Sequence, residues 1–325
     1  MPITHLNDRK LQIGDLAKLA HLNDENLDDQ LNLFLLACTV NSLSARTIED
    51  YQHKIGAFVA FCKTQEIYKL QQVTPGAIRL FQLGIQQRCK PSSVHGYYGA
   101  ICRFFNWLAE EGTIKESPMA RMHPPRVPRE MIKPFSPEHI HRLLTVLDYE
   151  CSVRDKKLAP LRNRAMILTF LDTGLRLSEL ANIQLSDVDF DREAIKVLGK
   201  GAKERVVRIG KGVQKALLRY VMLREDDLPC LWITEEGKPL QPRGIQQLIK
   251  RLGQRAGVTG IRCSCHTFRH TFAILCLRNS MGEFTLQTLL GHSTLSQTRR
   301  YTNSLNADDA FRAHIKASPV DNLQL

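Results

Sequence analysis

Four prolines fall in the stretch RMHPPRVPREMIKP, residues 121–134, and they divide the chain. Proline fixes its own φ angle and lacks a backbone N–H, so this stretch cannot form a regular helix. A stiff, extended linker is the expected structure. Because 325 residues are enough for two domains of ordinary size, we predict one domain over residues 24–120 and a second over 135–325.

The first region carries only helical signals. Ser44 can cap a long helix whose apolar residues form a stripe on one face. Pro75 and Pro91 each stand at the first turn of a further helix, and Gly112 ends the last one. No strand pattern occurs before the linker. We therefore predict a compact all-helical bundle, preceded by an extension of unassigned role at residues 1–23.

The second region mixes helices with a few strands. An apolar helix is predicted over residues 161–171. Two short strands, 193–198 and 204–209, flank Gly199-Lys200-Gly201, a turn sequence typical of a hairpin. Trp232 lies in a short apolar stretch that we interpret as a further strand. The predicted fold class is mainly α with a small antiparallel β-sheet.

The charge balance favours a polyanionic partner. Lys and Arg number 45 against 33 for Asp and Glu, an excess of 12, and the pI is about 9.4. Such a surplus is typical of proteins that bind nucleic acid. The linker contributes four basic residues: Arg121, Arg126, Arg129 and Lys133. We interpret it as a basic strap beside a DNA backbone, and the alternative is a solvated linker without a ligand.

The nine cysteines are scattered and odd in number, which favours reduced thiols in a cytoplasm over a disulfide framework. One close group comprises Cys263, Cys265, His266 and His270. No second cysteine pair follows at zinc-finger spacing, and Thr267 stands where a HExxH site needs glutamate. We therefore predict no metal and no other cofactor. The longest apolar runs are too short to span a bilayer, and we find no signal peptide.

The stretch that begins HTFRHTF gathers reactive side chains. His266 and Arg269 are three residues apart and share one face of a predicted helix. Gly291 interrupts the next helical pattern, so His292 is expected at a helix boundary, and Tyr301 follows in a polar segment. Two histidines, an arginine and a tyrosine near one point could hold a phosphate and attack it.

Two upstream motifs complete the set. TGLRLSEL places Arg176 just after a glycine, with Glu179 one helical turn later, and VLGKGAKERVVRIG places Lys200 at the tip of the hairpin. In this order (Arg, Lys, His-x-x-Arg, His, Tyr) the motifs resemble the tyrosine recombinase family of the phage-integrase type, and its Xer-like members in particular. The resemblance spans roughly residues 25–310 of the 325.

The resemblance implies a SAM-like helical core-binding domain followed by a tyrosine-recombinase catalytic domain. It also implies tetramers that act on two DNA duplexes at specific sites, through a 3′-phosphotyrosyl intermediate and a Holliday junction. In relatives the segment after the tyrosine docks on a neighbouring protomer, and here a tail helix is predicted over residues 307–316. The expected setting is the prokaryotic cytoplasm, at the nucleoid, with a related recombinase or accessory protein as further partner.

The cleavage chemistry suits three of the matched residues. Tyr301 is expected to attack phosphorus, so that one phosphoester replaces another. Negative charge builds on the non-bridging oxygens, and the planar, permanently charged groups of Arg176 and Arg269 are suited to stabilise it.

The remaining matched residues handle protons and orientation. Lys200 is expected to protonate the leaving 5′ oxygen; Lys203 is its rival for that role and otherwise a DNA contact. His266 is the expected base for the tyrosine proton, and His292 the donor to a phosphate oxygen. Glu179 is expected to orient the first arginine or His266 without touching DNA.

Three other interpretations stay open from the residues alone. They are an architectural DNA-binding protein with an inert site, a relaxing topoisomerase of the IB type, and a metal-dependent nuclease. A recombinase could serve integration and excision of a mobile element or resolution of replicon dimers. The acidic N-terminal extension favours the mobile element.

Overall fold

The computed structural model divides into two compact units, Met1–Arg129 and Glu130–Leu325. It describes residues 25–128, 133–153, 158–199, 204–292 and 294–302, together with Leu305, Asp309, Phe311, His314, Ile315 and Ser318. Several predictions fall outside these residues: the extension at 1–23, Arg129, Lys200, Lys203 and most of the tail helix at 307–316.

The described part of the N-terminal unit contains four α-helices and a 3-10 turn. These are α1 (Leu27–Val40), α2 (Ala45–Thr64), the turn Leu70–Gln72, α3 (Pro75–Gln86) and α4 (Pro91–Glu110). Ser44 caps α2 by accepting a hydrogen bond from the Thr47 N–H at 3.2 Å, as its sequence position predicts. Gly112 follows α4 with a φ of +76°, in the left-handed region that glycine favours.

Aromatic side chains fill the core of this unit. The rings of Phe34 and Phe104 meet edge to face at 5.5 Å and 73°, and Phe58 of α2 is completely buried in the same core. Such pairs stabilise a core beyond the area they bury. Between residues 25 and 128 the backbone forms only an isolated bridge, Asn26 with Lys69, and no strand. The all-helical prediction is therefore confirmed.

The C-terminal unit is built around one buried helix. Its helices are α5 (Pro137–Val153), α6 (Leu158–Thr173), α7 (Leu177–Ala181), α8 (Lys211–Val221), α9 (Pro242–Arg255), α10 (Cys265–Arg278), α11 (Glu283–Leu290) and α12 (Leu295–Thr302), with a 3-10 turn at Leu185–Asp187. Helix α6 packs against α5, α8 and α10. It begins three residues before the predicted start, because Pro160 is tolerated in a first turn.

Three antiparallel strands form the sheet: β1 (Val188–Asp189), β2 (Ala194–Leu198) and β3 (Glu204–Arg208), in the order β1-β2-β3. The register pairs Ala194 with Arg208 and Leu198 with Glu204, so the two predicted strands are confirmed. Glu193 is excluded from β2 because its φ is +54°, which no strand allows.

The further strand predicted around Trp232 is wrong. This residue lies in irregular backbone beside an isolated bridge between Ile233 and Pro239. Its indole is 1% exposed and donates to the Leu180 carbonyl oxygen at 2.8 Å. The apolar stretch therefore reflects burial against α7 and not strand pairing.

No helix in the described part of the chain is both long and apolar enough to cross a membrane.

Candidate active site

A glycine turn after α6 positions the first arginine of the site. Gly174 has a φ of +59°, and a Cβ atom there would lie 2.3 Å from the Phe272 ring, so only glycine fits. The turn leads into α7, with Arg176 as its N-cap residue and Glu179 in its first turn. The Gly174 carbonyl oxygen accepts a hydrogen bond from Arg269 Nη1 at 2.7 Å.

A buried carboxylate, that of Glu179, gathers three guanidinium groups. It accepts from the backbone N–H of Arg176 at 2.8 Å and from Arg176 Nη1 at 2.7 Å. Both terminal nitrogens of Arg205 donate to it, at 2.8 and 2.9 Å, and Arg269 Nη1 lies at 4.0 Å. Burial alone would raise the pKa of Glu179, but the hydrogen bonds from Arg205 and Arg176 lower it to about 2. The carboxylate is therefore ionised at neutral pH.

The two predicted arginines are held by backbone carbonyl groups. Arg269 is 4% exposed, and its Nη2 donates to Leu290 O at 2.8 Å, in addition to the bond to Gly174. Burial and the nearby charge of Arg176 lower the pKa of Arg269 to about 10, so it stays protonated at neutral pH. Arg176 keeps 30% side-chain exposure and donates to Gly291 O at 3.0 Å.

His292 lies at the helix boundary that Gly291 creates. Gly291 ends α11 with a φ of +62°. The next residue, His292, places Nδ1 2.8 Å from Thr298 Oγ1, and its ring stacks on Tyr301 at a centroid distance of 6.1 Å and 11°. Burial and the neighbouring guanidinium groups, Arg269 first, lower the pKa of His292 to about 4. This imidazole is therefore neutral at neutral pH.

Tyr301 is buried on α12. It is 4% exposed and packs in a small apolar cluster with Phe272, Leu286 and Leu290. Its hydroxyl lies 3.3 Å from His270 Nδ1. Burial, with the charges of neighbouring residues, lowers the pKa of His270 to about 4, so this ring is neutral at neutral pH.

His270 is the histidine that contacts the hydroxyl, whereas His266 is exposed one helical turn earlier. The two rings stack at 6.3 Å and 26°. The role of His266 as base stays a prediction, and His270, considered from the sequence only as a metal ligand, joins the site. Arg205 was also missed. The available signal was a charged residue on the inward face of β3, two positions before buried Val207.

The remaining predicted residues lie in the linker and around the hairpin turn. Arg121, Arg126 and Lys133 are exposed. Lys200, Lys203 and Arg129 belong to the parts of the chain that the structure does not describe. Among the residues that it does describe, no group of three or more His, Cys, Asp or Glu side chains could hold a metal ion.

The arrangement suits an anion held beside a phenol. Three arginines surround one ionised carboxylate, which leaves an excess of two positive charges in this cluster, and one of the three, Arg269, interacts with Tyr301. Guanidinium groups recognise phosphate through paired hydrogen bonds, and burial strengthens that attraction. The phenol can act as a nucleophile once its proton passes to a neighbouring base.

Two family models match the chain. The phage integrase family matches residues 134–308, and the N-terminal SAM-like domain of phage integrases matches residues 31–114. The first match alone covers more than half of the 325 residues.

Similar proteins include bacterial tyrosine recombinases. The tyrosine recombinase XerC of Anoxybacillus flavithermus is 33% identical over 289 residues, covering 86% of this chain and 94% of that protein. The XerC of Haemophilus influenzae is 30% identical over 281 residues, covering 85% and 92% respectively.

Solved structures share the fold. A lambda integrase dimer bound to a COC′ core site superposes with a TM-score of 0.69 at 16% identity, covering 84% of this chain and 97% of that one. XerH bound to a palindromic difH substrate gives 0.67 at 18% identity, covering 94% and 93%. The solved structures share the fold, and the family models and the relatives show that the chain belongs to the phage integrase family, and within it to the Xer-like tyrosine recombinases.

Proposed function

We propose that this site-specific recombinase cuts and rejoins DNA by transesterification at Tyr301. The phenolic oxygen attacks a backbone phosphorus, the bond to the 5′ oxygen breaks, and a 3′-phosphotyrosyl link forms. A 5′ hydroxyl from the partner strand then attacks that link and releases the tyrosine. One phosphoester replaces another at each step, so the reaction is reversible and consumes no ATP.

One observation carries this proposal: segments distant in sequence converge on the hydroxyl of Tyr301. That hydroxyl lies 3.3 Å from His270, the His292 ring stacks on the phenol, and the neighbouring phenol partly offsets the lowering of the Arg269 pKa by burial. Arg176 reaches the same place through the shared carboxylate of Glu179. Once Tyr301 is uncovered, a phosphodiester placed here would meet two guanidinium groups and a nucleophile together.

Proton transfer is divided among the neighbouring side chains. Two histidines compete for the tyrosine proton: neutral His270 contacts the hydroxyl in the resting site, and exposed His266, one helical turn earlier, is the base that the family resemblance implies. His292 donates a hydrogen bond to a non-bridging oxygen. Lys200, assigned by family resemblance, protonates the leaving 5′ oxygen.

Tyr301 must be uncovered before it can attack. The tyrosine is 4% exposed, and the two terminal nitrogens of Arg269 already donate to backbone carbonyl groups. The eight-residue helix α12 carries the tyrosine, so its movement is the simplest way to present the hydroxyl to DNA. The described arrangement is therefore the resting form of the site.

The partners follow from similar proteins. One similar structure is a lambda integrase tetramer bound to a Holliday junction, with a TM-score of 0.69. We extend that assembly to this chain: four copies on double-stranded DNA with specific sites, in the bacterial cytoplasm at the nucleoid, with a related recombinase or accessory protein where the site requires one. The biological role is either movement of a mobile element or resolution of replicon dimers, and the DNA sequence that the protein selects distinguishes the two.

The test begins with DNA selected for binding from a random duplex pool. A nick placed in the selected duplex traps the covalent intermediate, because the short strand diffuses away after cleavage. The native protein should give a protein–DNA adduct that survives SDS, and Tyr301→Phe should give none. Tyr149→Phe is the matched control, since Tyr149 is 66% exposed in the same unit, and it should react like the native protein.

Two results would contradict the proposal. Tight binding without any adduct would indicate an architectural DNA-binding protein. Adducts on any duplex, with relaxation of any supercoiled plasmid, would indicate a topoisomerase.

A further inference from the structure

We infer that Arg205 is a positioning residue for strand cleavage: it fixes Glu179 and the turn after α11 so that Arg176 and His292 face the phosphate. This inference rests on the function proposed above. It adds a third guanidinium group whose task is to hold the other groups in place.

The hydrogen bonds of Arg205 leave little of it available to DNA. Nη1 and Nη2 donate to the two oxygens of Glu179 at 2.8 and 2.9 Å, and Nε donates to Leu289 O at 3.0 Å. The side chain is 15% exposed. All three guanidinium nitrogens of Arg205 thus donate to two partners, Glu179 and Leu289. A planar guanidinium group can make these bonds together, whereas the single ammonium group of a lysine cannot.

Both partners of Arg205 support Arg176. Glu179 accepts the backbone N–H and the Nη1 of Arg176, and Gly291, two residues after Leu289, accepts its Nη2. Because Arg205 ties the carboxylate to the end of α11, it fixes the distance between the two groups that orient Arg176. Loss of Arg205 would free both of them at once.

The same side chain sets the surroundings of His292. A Cβ atom at Gly291 would lie 3.0 Å from Arg205 Nη1, so Arg205 packs directly under the turn that presents His292. Its charge is also one of those that lower the pKa of that histidine. Arg205 therefore acts on the orientation of His292 and on its protonation.

The experiment compares Arg205→Met and Arg205→Lys with Arg208→Met. Arg208 lies on the same strand, pairs with Glu193 and is 82% exposed, so it controls for loss of a charge from β3. Single-turnover cleavage of the nicked duplex should slow by about 100-fold in Arg205→Met, the cost typical of a small misplacement in an active site. DNA affinity should be unchanged, Arg205→Lys should not restore the rate, and Arg208→Met should cleave like the native protein.

Two further measurements distinguish positioning from general stability. The pKa of His292, followed by NMR in the DNA-free protein, should rise in Arg205→Met. The rate losses of Arg205→Met and Glu179→Gln should not add in the double variant, because the first acts through the second. If Arg205→Met does not fold, Arg205→Lys, which keeps the charge, is judged by its cleavage rate and by the double variant with Glu179→Gln, and no change in the pKa of His292 is expected of it.

Native cleavage rates in the folded Arg205 variants would overturn the inference. So would a slow variant in which the pKa of His292 is unchanged and the losses add. Failure of the native protein itself to cleave would instead contradict the proposed function, so the two failures are distinguishable.

Discussion

At the residue scale, the site depends on one buried negative charge among several positive ones. Removing one partner from a buried ion pair leaves the others uncompensated, which destabilises a protein more than the pair itself stabilises it. Glu179 is 4% exposed and keeps a pKa of about 2 because arginines surround it. The arginines are therefore fixed in place before DNA arrives, and in the proposed cleavage reaction this lowers the cost of organising the transition state.

Replacing Arg269 by lysine should abolish most cleavage. Lysine cannot donate to both Gly174 O and Leu290 O and still offer a planar pair of N–H groups to phosphate. We expect the single-turnover cleavage rate to fall by about 100-fold, with DNA affinity retained. Arg192→Lys, at a position with 86% side-chain exposure, is the control. Unchanged cleavage in Arg269→Lys would refute the role given to this residue.

Acid should destabilise the C-terminal unit through its buried histidines. His270 and His292 have pKa values of about 4 in the folded protein, against an ordinary value of 6.5. Between these values the unfolded chain binds more protons, so stability present above about pH 6.5 is lost as the pH falls toward 4. Melting temperatures measured across this range should drop less for the double variant His270→Asn, His292→Asn than for the native protein. An equal drop would contradict neutral histidines at the site.

At the element scale, the sequence predicts those helices and strands whose ends are determined by a few neighbouring residues. The helix starts at Ser44 and Pro91 follow from capping and from the geometry of proline, which depend on a few neighbouring residues. Two-residue β1 has no periodicity to detect, and the burial of Trp232 depends on α7, some fifty residues away in the sequence. Interactions between residues distant in sequence therefore determine the structure of β1 and of the stretch around Trp232.

The candidate site shows the same division between local and non-local information. The order of the sequence motifs predicts a site that includes five side chains which the structure brings together: Arg176, Glu179, Arg269, His292 and Tyr301. No local sequence pattern predicts that His270 contacts the Tyr301 hydroxyl or that Arg205 donates to Glu179. Both interactions join elements that are distant in the chain.

The turn between α11 and α12 should be sensitive to a single methyl group. Gly291→Ala forces a left-handed φ on alanine and places Cβ 3.0 Å from Arg205 Nη1. We expect a loss of about 1–3 kcal/mol in the free energy of unfolding and slower cleavage. Gly212→Ala is the matched control, since no atom lies within 4 Å of the added Cβ, and it should be neutral or stabilising. Denaturant unfolding of both variants decides the outcome, and equal stabilities would contradict a strained turn at Gly291.

At the scale of the whole molecule, the excess of 12 positive charges should appear as a steep salt dependence of DNA binding. Of the basic linker residues predicted to bind DNA, Arg121, Arg126 and Lys133 are exposed. Their replacement by glutamine should weaken binding to all sequences alike and reduce the salt slope by about one for each phosphate that is no longer neutralised. The control replaces Arg142, Arg192 and Arg208, which pair with neighbouring acids. Equal slopes in the two triple variants would show that the linker is only solvated.

The described part of the tail includes a contact with its own protomer. Asp309 Oδ1 lies 3.0 Å from Arg278 Nε, at the C-terminal end of α10, and the Asp309 side chain is 7% exposed. Docking of the tail on a neighbouring protomer stays a prediction.

The most direct test of the central claim identifies the residue to which DNA becomes attached. The adduct trapped on the nicked duplex is digested with nuclease and trypsin, and the peptide that carries a nucleotide is sequenced by mass spectrometry. Trypsin cleaves after Arg300 and Arg312, so we expect a 3′-nucleotide on the peptide of residues 301–312, whose only tyrosine is Tyr301. A nucleotide attached to any other peptide would contradict cleavage by Tyr301.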